Sequence, residues 1–94
     1  MLIVTASPSF SRIAKKLHAK NKQVLDNAVQ WIAAHHSDGE EKRGDLAGVF
    51  VYKFKLNHQE TLVAYELKPD KVNPTELVLL AVGPHENFYA VLKR

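Results

Sequence analysis

The residues best suited to chemistry lie where the last apolar run of the chain ends. Residues 77–82 are all apolar, Gly83 and Pro84 stop the run, and His85 follows at once, with Tyr89 four positions later. Histidine is the side chain that most readily gains or loses a proton near neutral pH, and a buried strand that leads into a glycine turn supports it rigidly. This arrangement suggests acid–base chemistry at the exit of a strand.

A second polar pair lies in the alternating run of residues 49–56. A strand there places Lys53 and Lys55 on one side, with Val49 and Val51, and the aromatic residues on the other side, which we expect to face the core. The two lysines then stand about 7 Å apart, close to the spacing of adjacent phosphates on a nucleic acid. A plain amphipathic strand with lysines facing water remains the alternative.

Tyr89 and Phe88 allow two interpretations. An exposed aromatic ring beside a histidine and two lysines is typical of single-stranded RNA recognition, in which a base stacks on the ring while cations hold the backbone. The alternative is that both rings dock the tail on the core, and we expect Phe88 to do so. The His35-His36 pair lacks cysteines or well-placed carboxylates, so we predict no metal site and no cofactor.

The elements that must position these residues follow from hydrophobic periodicity. We predict a strand over residues 2–5, followed by a helix that begins after the N-cap Ser7 and ends near His18 or Ala19. A second helix should run from residue 21 to about residue 35, so that the two helices form a hairpin.

The second half of the chain is predicted to consist of strands. Residues 37–45 should form an exposed, flexible loop after the helices. Three strands follow, over residues 49–56, 61–67 and 76–82. A short tail over residues 87–94 closes the chain.

This order, β-α-α-β-β-β with a short C-terminal tail, predicts an α+β fold in which a helix hairpin covers one face of a small, mostly antiparallel sheet. The first strand should lie beside a later one, and the last strand should be central because it is almost entirely apolar. We expect the other sheet face to be open to a ligand.

Composition limits the classes of protein. The 94 residues predict a single domain over 1–94, and no apolar run approaches the roughly 18 residues that a membrane-spanning helix needs. The absence of cysteine excludes disulfides and thiolate chemistry, and the N-terminus lacks the charge pattern of a secretory signal. We therefore predict a cytoplasmic protein with no membrane partner.

Charge is distributed unevenly. The first 36 residues hold five lysines or arginines and one acid, Asp26. Such a face attracts polyanions, although a solvated helix surface has the same composition. RNA contacts are predicted for four basic residues, namely Lys15, Lys16, Lys93 and Arg94.

Three segments resemble the RelE/ParE superfamily of bacterial type II toxins, most of all its RelE/YafQ-like branch of mRNA interferases. They are the strand over residues 51–56, the strand over residues 61–67 after a short turn, and the ending over residues 81–89, in which a Gly-x-His segment precedes an aromatic residue. The element order, the size and the basic character match over nearly the whole chain.

The resemblance implies a metal-independent endoribonuclease that cuts mRNA on the ribosome and is silenced by a cognate antitoxin. In such enzymes the ribose 2′-OH attacks the adjacent phosphate, and the leaving 5′ oxygen is protonated. Lys53 and Lys55 would then hold the phosphate, His85 would act as general acid or base, and Tyr89 would stack on or orient a base. Relatives commonly carry an arginine early on the strand over residues 61–67, where this chain has Thr61.

Two other functions fit the same resemblance. A ParE-like toxin would inhibit DNA gyrase by binding it, and would need no histidine and tyrosine at the exit of the last strand. A non-toxic relative would keep the fold and bind only its antitoxin.

Overall fold

Two helices and five strands make up the fold, seen in a computed structural model that describes residues 2–42, 44–84 and 88. In chain order the elements are β1 (Ile3–Ala6), α1 (Pro8–Lys15), α2 (Ala19–Ala34), β2 (Glu40–Glu41), β3 (Val49–Leu56), β4 (Gln59–Lys68) and β5 (Glu76–Pro84). Short 3-10 turns at His36–Asp38 and Gly44–Leu46 flank β2. The α+β fold with its helix hairpin is confirmed.

The helix hairpin packs through a few large apolar residues. Phe10 of α1 and Leu25 and Ile32 of α2 are buried in the main core. The predicted helix boundaries were partly wrong, since α1 ends at Lys15 and α2 begins at Ala19 rather than at residue 21. Alanine and lysine are good helix formers, so the second helix extends back over residues 19 and 20 without a side-chain hydrogen bond at its N-cap.

Ser7 begins the first helix and also attaches it to the sheet. Its Oγ accepts a hydrogen bond from the Phe10 N–H at 3.2 Å, and its hydroxyl donates to the Leu80 carbonyl at 2.7 Å. Pro8 follows at the first helical position, where its missing N–H leaves no bond unmade. The predicted N-cap is confirmed.

We expect Ser7→Ala to lower the free energy of unfolding by about 1–2 kcal/mol, because it removes the cap and leaves the Leu80 carbonyl without this donor. Urea denaturation followed by circular dichroism measures the change. Ser11→Ala is the control, since Ser11 lies on the same helix and its hydroxyl forms no hydrogen bond with the described residues. Equal stability of the two variants would contradict this role of Ser7.

The sheet has the order β1-β5-β4-β3-β2, with β1 parallel to β5 and the other neighbours antiparallel. The first strand therefore lies beside a later one, and β5 lies inside the sheet, as predicted. The extra strand β2 falls within the predicted loop and pairs Glu40 with Val51. Two consecutive glutamates carry no alternation of apolar and polar residues, so this strand left no pattern in the sequence.

The helix-covered face of the sheet holds the main core. Phe50, Val63, Tyr65, Leu77 and Leu79 are buried there beneath the two helices. The aromatic side of β3 faces this core, as predicted from its period of two.

The other face is not open along its length, which corrects the prediction. A second apolar cluster fills much of it, made of Val49, Val51, Leu62, Ala64, Ala81 and Phe88. Val49 and Val51 precede the lysines on β3 and are buried, because Phe88 and the neighbouring strands supply apolar contacts at that end. The end of this face that carries Lys53 and Lys55 is accessible.

Within the described parts of the chain, no helix is both long and apolar enough to cross a membrane.

Candidate phosphate-binding site

A tight hairpin between β3 and β4 fixes which residues share the accessible end. Asn57 and His58 both have positive φ angles, 52° and 66°, as a two-residue hairpin turn of type I′ requires. The register that follows places Lys55 opposite Glu60 and Lys53 opposite Leu62. The lysines and Glu60 therefore project from the same face.

Strand β5 extends the pairing of Lys53 with Leu62 by one more residue across the sheet. Leu62 lies opposite Gly83 on β5, so Lys53, Leu62 and Gly83 form one line across three strands. Gly83 has no side chain to occupy the surface, and a Cβ added there would lie 3.9 Å from the Cδ1 atom of Phe88. The site is thus a cationic strip, Lys53 and Lys55, beside an apolar floor formed by Leu62, Gly83 and Phe88.

Lys53 has a carboxylate for a neighbour. Its Nζ lies 3.8 Å from the Oε2 atom of Glu60, and the two side chains are 60% and 46% exposed. Lys55 is also partly exposed, and it makes no ion pair with any part of the chain that the structure describes. Both lysines can therefore turn toward a phosphate, Lys53 by leaving a partly hydrated partner.

A second carboxylate reaches this face from the short edge strand. Glu40 lies opposite Val51, and Lys42 donates a hydrogen bond to its Oε1 atom. This hydrogen bond, and the charge of Lys42, hold the pKa of Glu40 below its usual value, with a smaller contribution from Lys53. Lys53 therefore interacts with a glutamate from each neighbouring strand.

Glu60 was not among the predicted site residues, because its place depends on the length of the turn. The turn was predicted over residues 57–59, which leaves the partner of Lys55 undefined. With a turn of only Asn57 and His58, Leu56 pairs with Gln59 and Lys55 pairs with Glu60. The period of two on both strands, combined with a two-residue turn, could have identified Glu60.

Thr61, the position at which the family resemblance implies an arginine, does not face the site. Its side chain is 4% exposed, it lies opposite Phe54 on the helix-covered side, and its hydroxyl donates to the Gln59 carbonyl at 3.1 Å. The residue of β4 that projects beside Lys55 is instead Glu60. On this strand the site therefore carries a carboxylate, that of Glu60, and not a third cation.

Four of the predicted site residues, His85, Tyr89, Lys93 and Arg94, lie outside the described residues. Pro84, the last residue of β5, lies opposite Thr61, the neighbour of Glu60. Phe88 is 4% exposed and packs in the second apolar cluster, so the prediction that it docks on the core is confirmed.

The other two predicted RNA contacts lie elsewhere. Lys15 and Lys16 are exposed at the end of α1, and the helices cover the sheet face opposite to Lys53 and Lys55. The structure therefore brings Lys53 and Lys55 together and does not add Lys15 and Lys16 to their cluster. Across the described residues, no three His, Asp or Glu side chains converge as metal ligands would.

The arrangement of helices and sheet is that of a known toxin fold. The chain is similar to a chain in the crystal structure of the intact E. coli RelBE toxin–antitoxin complex, with a TM-score of 0.68 and 13% identity over 92% of this chain and 99% of that one. It is also similar to the isolated E. coli RelE toxin, with a TM-score of 0.66 and 13% identity over 100% and 98% of the two chains. At this identity the comparison shows the fold alone.

The sequence itself shows the family. Residues 4–93 match the model of the ParE-like toxin of type II bacterial toxin–antitoxin systems. The chain therefore belongs to this toxin family, within the RelE/ParE superfamily. No curated protein sequence matches it significantly.

Proposed function

We propose that this toxin is an endoribonuclease that cuts mRNA on the ribosome. The observation that carries the proposal is the pair Lys53 and Lys55, which lie at the accessible end of a sheet face that is otherwise largely apolar and buried. A phosphodiester gains negative charge in the transition state of its cleavage. Two cations held on a rigid strand, close to the end of β5, would stabilise that charge.

The proposed reaction is an intramolecular displacement. The ribose 2′ oxygen attacks the phosphorus, the bond to the 5′ oxygen breaks, and a 2′,3′-cyclic phosphate and a 5′-hydroxyl result. Lys53 and Lys55 would stabilise the phosphate charge, His85 would protonate the leaving oxygen, and Tyr89 would orient a base. RNA outside this centre would be contacted by Lys15, Lys16, Lys93 and Arg94.

A cognate antitoxin is the proposed protein partner, and the cytoplasm is the proposed location. Membership of a type II toxin–antitoxin family supports the partner, and one of the similar structures is a toxin–antitoxin complex. The ribosome and mRNA follow from the nuclease proposal.

Inducing the chain in cells and mapping mRNA 5′ ends tests the proposal. We expect new cleavage sites within translated frames, and their loss with His85→Ala, since removing a proton donor costs about 100-fold to 10,000-fold in rate. His18→Ala is the matched control, because His18 is exposed between the two helices and its side chain forms no hydrogen bond with the described part of the chain. Toxicity without new 5′ ends would contradict the nuclease.

Inhibition of DNA gyrase is the second candidate. The observation that favours it is the match to the ParE-like family model. A supercoiling assay with purified gyrase separates the two functions, because an mRNA endoribonuclease should leave supercoiling unchanged.

A further inference from the structure

We infer that Glu60 is the general base of the proposed nuclease, the group that removes the proton from the attacking 2′-hydroxyl. This inference rests on the proposed function and adds a second proton-transfer group to it. A metal-independent displacement of this kind needs one group to accept the 2′ proton and another to supply a proton to the 5′ oxygen. The proposed function already gives His85 the second of these roles.

The position of Glu60 suits the first role. Its cross-strand partner is Lys55, and its Oε2 atom lies 3.8 Å from the Nζ atom of Lys53. A phosphate held between the two lysines would therefore lie next to this carboxylate. Because the side chain is 46% exposed, an attacking ribose has access to it.

Glu40 is the competing carboxylate on this face, and its surroundings are less suitable. Lys42 donates a hydrogen bond to Glu40 and holds the pKa of this carboxyl below its usual value, so Glu40 is a weaker base than an ordinary glutamate. Glu60 accepts no side-chain hydrogen bond from the described residues, and its ion pair there is the 3.8 Å contact with Lys53. Lys53 can leave that contact to bind the phosphate, which makes the Glu60 carboxylate available.

The step balances without a further reactant. The Glu60 carboxylate takes the 2′ proton, the 2′ oxygen forms its bond to phosphorus, and the electron pair of the breaking bond goes to the 5′ oxygen, which takes the His85 proton. Glu60 then gives its proton to water and His85 takes a proton from water, which restores both groups.

The test is single-turnover cleavage of a synthetic mRNA on ribosomes, at the site mapped for the unaltered protein. We expect Glu60→Gln to lower the rate by about 100-fold or more while mRNA binding stays equal or tightens. Glu60→Arg should bind mRNA more tightly and be equally slow. Glu41→Gln is the control, because Glu41 lies opposite Phe50, on the other side of the sheet, and accepts a hydrogen bond from Lys71 at 2.7 Å.

A sulfur at the bridging 5′ position distinguishes the base from the acid, because a thiolate leaves without a proton. On that substrate we expect His85→Ala to regain most of its rate and Glu60→Gln to remain slow. The inference would be overturned if Glu60→Gln cleaved at the wild-type rate, or if Glu60→Arg cleaved faster than the unaltered protein. It would also be overturned if Glu60→Gln regained its rate on the sulfur substrate, or if Glu40→Gln lost activity instead. Absence of cleavage by the unaltered protein would contradict the proposed function itself.

Discussion

Lys53→Ala is expected to reduce mRNA cleavage by about 100-fold to 1,000-fold, the usual effect of removing one group that stabilises transition-state charge. Lys53 lies in line with Leu62 and Gly83, next to the apolar floor of the site. This line of three residues therefore ends close to the end of β5, the strand that leads to His85. The measurement is the single-turnover rate on ribosome-bound mRNA.

The fold should be unaffected by this change. The Lys53 side chain is 60% exposed and its ion pair with Glu60 is long, so its loss should change the free energy of unfolding by about 0.5 kcal/mol or less. Lys71→Ala is the matched control, since it also breaks a lysine–glutamate pair but at Glu41. Full activity of Lys53→Ala, or an equal loss in Lys71→Ala, would contradict the proposed role.

Much of the fold could be predicted because apolar and polar residues recur at regular intervals along most of its helices and strands. The bounds of β3 were predicted as Val49–Leu56 and are confirmed, since a strict period of two runs through that strand. Ser7 and Pro8 marked the start of the first helix for a local chemical reason, the capping of free N–H groups. By contrast, β2 depends on pairing with β3 and has no pattern of its own, so tertiary structure alone reveals it.

The site was harder to predict because it depends on register. The lysine side of β3 was evident from alternation, but Glu60 joins it only through the pairing that the Asn57-His58 turn sets. The cover on the sheet face likewise depends on Phe88, which lies distant in sequence from Val49 and Val51. Local periodicity does not reveal contacts between residues that lie so far apart in the chain.

Gly39→Ala is the stability prediction with the largest expected effect. Gly39 has an extended backbone that any residue adopts, but a Cβ there would lie 2.2 Å from the hydroxyl oxygen of Tyr65. Tyr65 is 1% exposed, its hydroxyl donates to the His36 carbonyl at 2.9 Å, and its ring stacks on Phe50. Because this ring is packed on all sides, we expect a loss of about 2–4 kcal/mol in unfolding free energy, from overpacking and a broken hydrogen bond.

A double-mutant cycle with Tyr65→Phe isolates the steric cause. Removing the hydroxyl deletes the atom that the new methyl group meets, so Gly39→Ala should be milder in the Tyr65→Phe background, with a coupling energy of about 1–3 kcal/mol. Gly44→Ala serves as the control, because nothing lies within 4 Å of a Cβ at Gly44 and its cost comes from its positive φ of 67°. Its cost should not change with Tyr65→Phe. Additive effects of Gly39→Ala and Tyr65→Phe in urea denaturation would show that the Tyr65 hydroxyl is not what excludes a side chain at position 39.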